Sequence, residues 1–302
     1  MTHLEPIIGL HICPHEVRAV AIDCQSNTST LYAIDEWPAA FPDSVYDSVD
    51  LIGPCRMLTG AVRVFLHKHR ITTRRISIAL DSSLVFLTSL PAERGLDQAA
   101  MQEHLAWEFS RFFPGIPSSE FVFDVHVMAN SSAQDYDEIM AAGLRRQLAA
   151  GLRHALEKAG LALEIIDVDH FSADVALREN YPDAYSRYIA LAGIKERRLD
   201  VSLLRNGVLE SYRYHTLESK TQAIQILAVL SREVRGLASI MAYGPALENE
   251  LLLKMRHASQ IVVEAFNPLR HVDVAESVQP ADYLTSPSYR FAAAIGVALR
   301  RD

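Results

Sequence analysis

Cysteine is scarce in this chain. Three occur among 302 residues, Cys13, Cys24 and Cys55, an odd number with no CxxC pair. That excludes a disulfide framework and fits reduced thiols in the cytoplasm. Long apolar runs are lacking too. No stretch approaches the roughly 18 apolar residues that span a bilayer, so any membrane association is expected through a partner. The opening MTHLEPIIGL has no basic segment ahead of a long apolar one, so no signal peptide is read there. Positive charge is in deficit: 29 basic against 37 acidic residues leave a formal net charge of -8. Such a surface disfavours nucleic acid and anionic membranes. Low-complexity tracts are absent. Hydrophobic residues make up 49% and charged residues 22%, enough to fill a core in two domains or one bilobed one.

What is present is strongly patterned. Ile8, Leu10 and Ile12 alternate along one strand face, Pro14 marks a turn, and Val17, Ala19 and Ala21 continue on a second strand. A third strand is read at Ser29 to Trp37 and a loop at Pro38 to Ser44. A helix is read at Arg56 to His69, with Leu58, Val62, Phe65 and Leu66 inward. RRISIAL (Arg74 to Leu80) reads as a buried strand. A block of different character follows: a strand at Ser83 to Pro91, then a helix at Leu96 to Pro114 that Pro114 stops. A strand at Phe121 to Met128, a turn at Asn130 to Asp135 and a returning strand at Tyr136 to Leu144 come next. A helix then carries Leu148, Leu152, Ala155 and Ala159, with Gly160 as its cap.

The second half opens as the first did. Leu161 to Asp169 reads as a strand, Phe171 to Asn180 as a short helix, and YPDAYS as a loop. Tyr188 to Tyr214 then spans three strands. The following helix aligns Ala223, Leu227, Leu230, Val234 and Leu237. Ser239 to Met255 reads as strand, glycine turn and helix, and Ala258 to Pro268 contains a strand. Ser277 to Ser288 is a loop before a terminal helix at Tyr289 to Arg300. Each half thus begins with a three-stranded unit.

These segments in this order resemble the PilM family, actin-like proteins of type IV pilus assembly related to FtsA. SLVFLTSLPAERGLDQAAMQEHLAWEFSRFFPG is similar to the family's strand, "LP", acidic helix with "WE" and aromatic-proline stop, with Trp107, Glu108, Phe113 and Pro114 in place. Asp124 fits the next strand. IIDVDHFSADVAL and RFAAAIGVALR resemble the family's returning segment and its terminal helix. The resemblance implies an α/β, two-lobed actin-like ATPase (ribonuclease H-like) fold with an inserted α+β subdomain, 1C. Residues 1–82 and 161–186 would form the first lobe (1A), 83–160 the insert, and 187–302 the second lobe (2A). Only His215 to Gln222 stands where the family has its 2B subdomain, so 2B is expected to be reduced or absent.

The same resemblance implies a nucleotide site that has lost its chemistry. Glycine lets backbone N–H groups approach phosphates, and an aspartate positions Mg²⁺. Against the family's first turn, approximately DIGSSSVK, this chain reads His11, Ile12, Cys13, Pro14, His15, Glu16, Val17 and Arg18. Pro14 removes a donor, and Arg18 alone keeps the basic charge. At the second turn Leu191 replaces the aspartate before Gly193. Lys195, Glu196, Arg197 and Arg198 follow, read as a solvated hairpin turn. The adenosine turn keeps Gly244 alone. His11, Cys13, Arg18, Gly193 and Gly244 therefore mark a vestigial cofactor site, and no cofactor is expected. ATP with Mg²⁺ belongs to an alternative reading, an ATPase with unusual phosphate turns.

The family's partner is the N-terminal tail of PilN, a bitopic membrane protein, held in a groove between the first lobe and 1C. The resemblance implies a non-catalytic scaffold on the cytoplasmic face of a pilus or secretion platform. A GspL-like docking domain for a secretion ATPase is a further alternative. Phe86, Trp107 and Phe113 are the aromatic residues read as groove anchors, since aromatic anchors dominate such contacts. The four aromatics Trp107, Phe109, Phe112 and Phe113 also read as core. His11 and His15, and His67 and His69, read as ordinary histidines with no metal, because a spacing of four serves a metal only on a helix while His11 to His15 spans a strand end and turn, and a spacing of two points to different helix faces. No separated catalytic set of Ser, His and Asp is read from order alone.

Overall fold

A computed structural model describes residues 6–25, 28–44, 52–128, 135–278 and 287–301. Strands β1 (Ile7–Ile12), β2 (Glu16–Gln25) and β3 (Thr28–Pro38) form an antiparallel meander. The alternation in the sequence decides its inner face: Ile8, Leu10, Ile12, Val17, Ala19 and Ala21 share one core. Helix α1 (Ile52–Lys68) crosses over to β4 (Arg75–Leu80), which lies parallel to β1. Strand β8 (Ala162–Val168) lies parallel to β4. Parallel neighbours need such crossovers, and hairpins do not.

The second sheet repeats the plan. β9 (Tyr188–Ile194), β10 (Arg198–Arg205) and β11 (Val208–Thr216) form a meander, and β12 (Ser239–Tyr243) and β13 (Val262–Ala265) join β9 in parallel. The strand orders β3-β2-β1-β4-β8 and β11-β10-β9-β12-β13 are thus the same motif twice. A single helix, α6 (Gln222–Glu233), lies between β11 and β12, and α7 (Asn249–Ala258) follows β12. Among the described residues no separate subdomain stands at the 2B position.

Two helices join the lobes: α4 (Asp169–Asn180) and α8 (Ala292–Leu299). Every residue of α8 is buried. Their approach depends on a glycine, since a β-carbon at Gly296 would stand 1.7 Å from the Ser172 carbonyl oxygen. β8 of the first sheet ends before residue 187, and β9 to β13 of the second sheet follow it. The chain nevertheless returns to the first: β14 (Val272–Val274) pairs with β3, and α8 packs on β1, β2 and β4.

The insert is a sheet of β5 (Val85–Glu93), β7 (Tyr136–Arg145) and β6 (Phe121–Val127), in that order, with α2 (Gln98–Phe112) on one face. Asp97 caps α2 by accepting the Ala100 N–H at 2.8 Å. Phe86, Phe109, Phe113 and Phe121 fill the space beneath α2, with ring centroids 4.7–6.2 Å apart. Helix α3 (Arg146–Lys158), read as part of the insert, turns Leu148, Leu152 and Leu156 into the first lobe's core beside Leu58, Val62 and Phe65. The insert's own core is therefore smaller than the 83–160 span.

Several boundaries differ from the sequence reading. Helix α1 starts at Ile52 rather than Arg56. Helix α6 stops at Glu233, leaving Val234 and Leu237 beyond it; Gly236, at φ 81°, turns the chain away. Asp169 opens α4 instead of ending a strand. A one-turn helix, α5 (Pro182–Tyr185), occupies the loop YPDAYS. The turn at Asn130 to Asp135 and the loop at Ser277 to Ser288 fall largely outside the described residues. All three cysteines are free. Among the described residues no helix is long and apolar enough to cross a membrane.

Candidate functional site

The cleft between the lobes is built from strand ends. β1 and β2 bring His11, Cys13 and Arg18 there, the end of β4 brings Asp81 and Ser82, and the start of α4 brings Asp169 and His170. Lobe two contributes Lys195 and Asp200. In the first turn the Cys13 N–H donates to the Glu16 carbonyl at 2.9 Å, so that donor is spent, and Pro14 has none.

The cleft is occupied by a side chain of the chain itself. Lys195 Nζ lies 2.6 Å from Asp169 Oδ2, 3.2 Å from Asp81 Oδ2 and 3.3 Å from Asp200 Oδ2. It also donates to Ser82 Oγ at 2.6 Å, and Ser82 Oγ donates to Asp200 Oδ2 at 2.8 Å. Asp81, Ser82 and Asp169 belong to the first lobe, Lys195 and Asp200 to the second. The turn read as solvated is therefore only half so. Glu196 and Arg197 are exposed, while Lys195 is buried and Arg198 points inward. Antiparallel pairing at the hairpin end sets that alternation.

Charge balances within the cluster. Arg198 Nε donates to Asp200 Oδ1 at 2.9 Å, and the Tyr212 hydroxyl donates to the same oxygen at 2.5 Å. His11 Nε2 lies 3.3 Å from Asp169 Oδ2. Burial alone would lower the His11 pKa, but the Cys13 sulfur and the Asp169 carboxylate lift it to about 9. Asp81, Asp169 and Asp200 thus face three cations, Lys195, Arg198 and His11. Burial would raise Asp169, yet Lys195 and His11 hold it down at about 2. Asp200 is likewise pulled below the carboxylate range against its burial, by Lys195 and Arg198. Lys195 is raised by the same partners against its burial.

The retained glycines serve packing. A β-carbon at Gly193 would meet the Tyr243 hydroxyl at 2.7 Å, and one at Gly244, where φ is 121°, would meet the Ile194 carbonyl oxygen at 2.4 Å. The Tyr243 hydroxyl is 2.9 Å from His170 Nδ1, and His170 Nε2 is 2.9 Å from Ser202 Oγ. Burial pushes His170 down to about 4, so the ring is neutral. Arg18 is fully buried and is engaged by Glu16 and Glu36. Its Nη1 approaches Cys13 Sγ at 3.6 Å. His11, Cys13 and Asp81 offer ligand atoms within 4.8 Å of one another. A metal ion held there would sit beside the Lys195 ammonium. This donor set suits an internal ion pair better than a magnesium-bound phosphate.

A second feature lies outside the cleft. A groove of about 630 Å³ runs between the insert, the first lobe and the β10–β11 hairpin, lined in part by Val85, Val122, Val125, Leu163 and Ile166. Two sheet edges face it: among the described residues β6 pairs only with β7, and β8 only with β4. Open edges and an apolar floor are what an extended peptide needs. None of the three aromatic anchors lines it. Phe86 and Phe113 are 7% and 3% exposed inside the insert's core, because the small insert needs them to bury α2. Trp107 is 59% exposed on α2, with the Arg111 guanidinium 5.1 Å from its ring.

Of the residues read as a vestigial site, His11 lies beside Asp169, Arg18 lies behind Cys13, and Gly193 and Gly244 lie against Tyr243 and Ile194; the sequence reading gave the list without these contacts. It missed Asp81, Asp169, Asp200 and Lys195 as a set. One signal was available: Asp200 is a charged residue inside the mainly apolar run LDVSLL.

The family described as type IV pilus assembly protein PilM matches residues 9–213. Among curated proteins no relative matches. One solved structure, a PilM-PilN type IV pilus biogenesis complex, aligns with a TM-score of 0.73 at 21% identity, over 97% of this chain and 98% of the other. A Bacteroides thetaiotaomicron protein with an actin-like ATPase fold and unknown function aligns at 0.51 with 9% identity, over 92% and 93%. The Vibrio cholerae EpsL cytoplasmic domain aligns at 0.48 with 10% identity, over 99% and 96%. The fold is that of the actin-like ATPases.

Proposed function

The chain belongs to the family of the type IV pilus assembly protein PilM, and on that premise we propose that it is a non-catalytic scaffold of a pilus or related secretion platform. It binds the N-terminal tail of a PilN-like membrane protein and reaches the inner membrane, on the cytoplasmic face, through that partner. The groove between β6 and β8 carries this reading. Its apolar floor receives alternate side chains of an extended tail, and the free strand edge supplies main-chain hydrogen bonds.

The absence of ATP chemistry in this proposal is supported by Lys195. Its ammonium takes the carboxylates that a hydrated magnesium ion would use, and it joins the lobes without a nucleotide. The scaffold then holds one closed arrangement and presents its groove ready-made.

The test is direct binding. A labelled synthetic peptide of the tail of the same organism's PilN-like protein is titrated with the full chain and followed by fluorescence anisotropy. Val122, 43% exposed on β6, lines the groove. Val122→Asp places a charge on the apolar floor and weakens binding at least about tenfold, the effect of 1.4 kcal/mol. Absence of binding to the tail, with a secretion ATPase co-purifying instead, would favour a GspL-like docking role.

A further inference from the structure

Consecutive residues of β6, from Val122 to His126, line the groove. Side chains of a strand alternate between its two faces. A groove that touches both faces in turn therefore runs along the edge of β6 rather than across one side. The hydrogen-bond pattern says which main-chain groups meet it. Antiparallel strands bond each other at every second residue. Just past β6 the Met128 N–H donates to the Glu138 carbonyl at 2.8 Å. The register with β7 is unbroken, pairing Val122 with Leu144, Asp124 with Ala142 and His126 with Met140. Those three residues thus turn their N–H and C=O groups to β7, while Phe121, Phe123 and Val125 turn theirs to the open edge. The far side of β7 agrees, since the Arg94 N–H donates to the Asp135 carbonyl at 3.0 Å.

Two of the outward groups are already engaged. Arg146 Nη2 donates to the Phe121 carbonyl at 3.0 Å, and the Val125 N–H donates to Asp124 Oδ1 at 2.9 Å. Charged side chains are a common protection of open edges. Here the carboxylate covers the donor itself, so a strand adding at Val125 must displace it. The same contact recurs on β8, where Asp167 Oδ1 accepts the Val168 N–H at 2.8 Å. Asp167 is held in place, because its Oδ2 accepts from Ser172 Oγ at 2.7 Å and is ion-paired with Arg300. Asp124 is exposed, and among the described residues its carboxylate has no bond except the one to Val125. Of the two edges, β6 is the one that can be uncovered.

We propose that the docked tail adds to the β6 edge at Phe123 and Val125, and that Asp124 guards this edge, favouring a tail with a Lys or Arg side chain opposite it. This rests on the docking reading above and narrows it to one edge and a basic segment. A carbonyl of the tail takes the Val125 N–H, and Phe123 exchanges its own N–H and C=O with the tail. The displaced carboxylate loses its donor. A cation across the strand pair replaces that donor with a charge-assisted one, and a tail without the cation leaves the loss uncompensated. Cytoplasmic segments beside a membrane span are rich in Lys and Arg, which is the chemistry this edge selects.

The experiment uses the full chain and the labelled tail peptide. Hydrogen–deuterium exchange read by mass spectrometry locates the edge. Anisotropy then follows a peptide series in which each Lys or Arg is replaced by Gln, on wild type and on Asp124→Ala, which alters an exposed side chain only. The expected result is slower amide exchange over Phe121–Val127 when the tail is bound. Replacing one basic position weakens binding to wild type about three- to fivefold, the size of an opposite-charge pair across two strands. The same replacement costs nothing on Asp124→Ala. Unchanged exchange over this segment with the tail bound overturns the inference and leaves the docking reading standing. So does a wild-type chain indifferent to every basic position, and so does a loss that persists on Asp124→Ala. No binding by the wild-type chain overturns both.

Discussion

Replacing Lys195 with Met removes the cation at the centre of the interlobe cluster while keeping a side chain of similar length. Asp81, Asp169 and Asp200, at 3.2, 2.6 and 3.3 Å from Nζ, are then left with Arg198 and His11 alone. Removing one partner of a buried ion pair costs about 3–5 kcal/mol, because the remaining charge stays desolvated. Each kcal/mol lowers Tm by about 2–4 °C in a large domain, so the loss should reach roughly 6–20 °C by scanning calorimetry. The pH dependence should also invert. In wild type the lowered Asp169 and Asp200 contribute stability above pH 3.8 that is lost as the pH falls toward about 2. Without Lys195 one carboxyl is raised, so Lys195→Met gains stability as the pH falls from 7 to 5. Millimolar Mg²⁺ should raise the Tm of Lys195→Met and leave wild type unchanged, since three carboxylates that have lost their central cation suit a hard ion. A Tm within about 1 °C of wild type, in a range where 1 kcal/mol is 2–4 °C, would refute the assignment of Lys195 as the interlobe counter-ion.

Wild-type stability should itself fall on both sides of about pH 6.5. His11, raised from 6.5 to about 9, contributes fully below 6.5 and loses its contribution as the pH climbs through about 9. His170, lowered to about 4, costs stability as the pH drops from 6.5 toward 4, because the unfolded chain takes a proton that the folded one refuses. Each gap corresponds to about 3 kcal/mol at about 1.36 kcal/mol per pH unit, readable from urea melts between pH 4 and 9. Titration of Mg-ATP into the wild-type chain should give no saturable heat at micromolar concentration. Saturation at one site, lost in Gly244→Glu, would restore the ATPase reading.

The fold was largely legible because its determinants are local. The alternation of Ile8, Leu10 and Ile12, the turn at Pro14 and the stop at Pro114 act over a few residues. The same holds for the short connection after Tyr214, which leaves room for no 2B subdomain. Where local pattern competes with long-range packing, the reading failed. The apolar stripe of α6 continued to Leu237 on paper, but Gly236 ended the turn. Phe86 and Phe113 had the chemistry of binding anchors, and the insert's small core took them. The leucines of α3 gave its buried face without saying which lobe would cover it.

By itself the sequence determined the two strand meanders and their repeated layout, and its resemblance to the family implied phosphate turns without the family's aspartates and most of its glycines. It could not say what replaced them. Ser82 and Lys195, bonded at 2.6 Å, stand 113 positions apart, and Lys195 looked like one more solvated charge in a basic turn. Only the crossing of the two sheets brings it among Asp81, Asp169 and Asp200, and only there does burial make an ammonium a structural ion. The groove has the same origin, since the edges of β6 and β8 meet by packing of the insert on the lobe. Periodicity is written along the chain, whereas charge pairing and open edges exist only where distant segments meet.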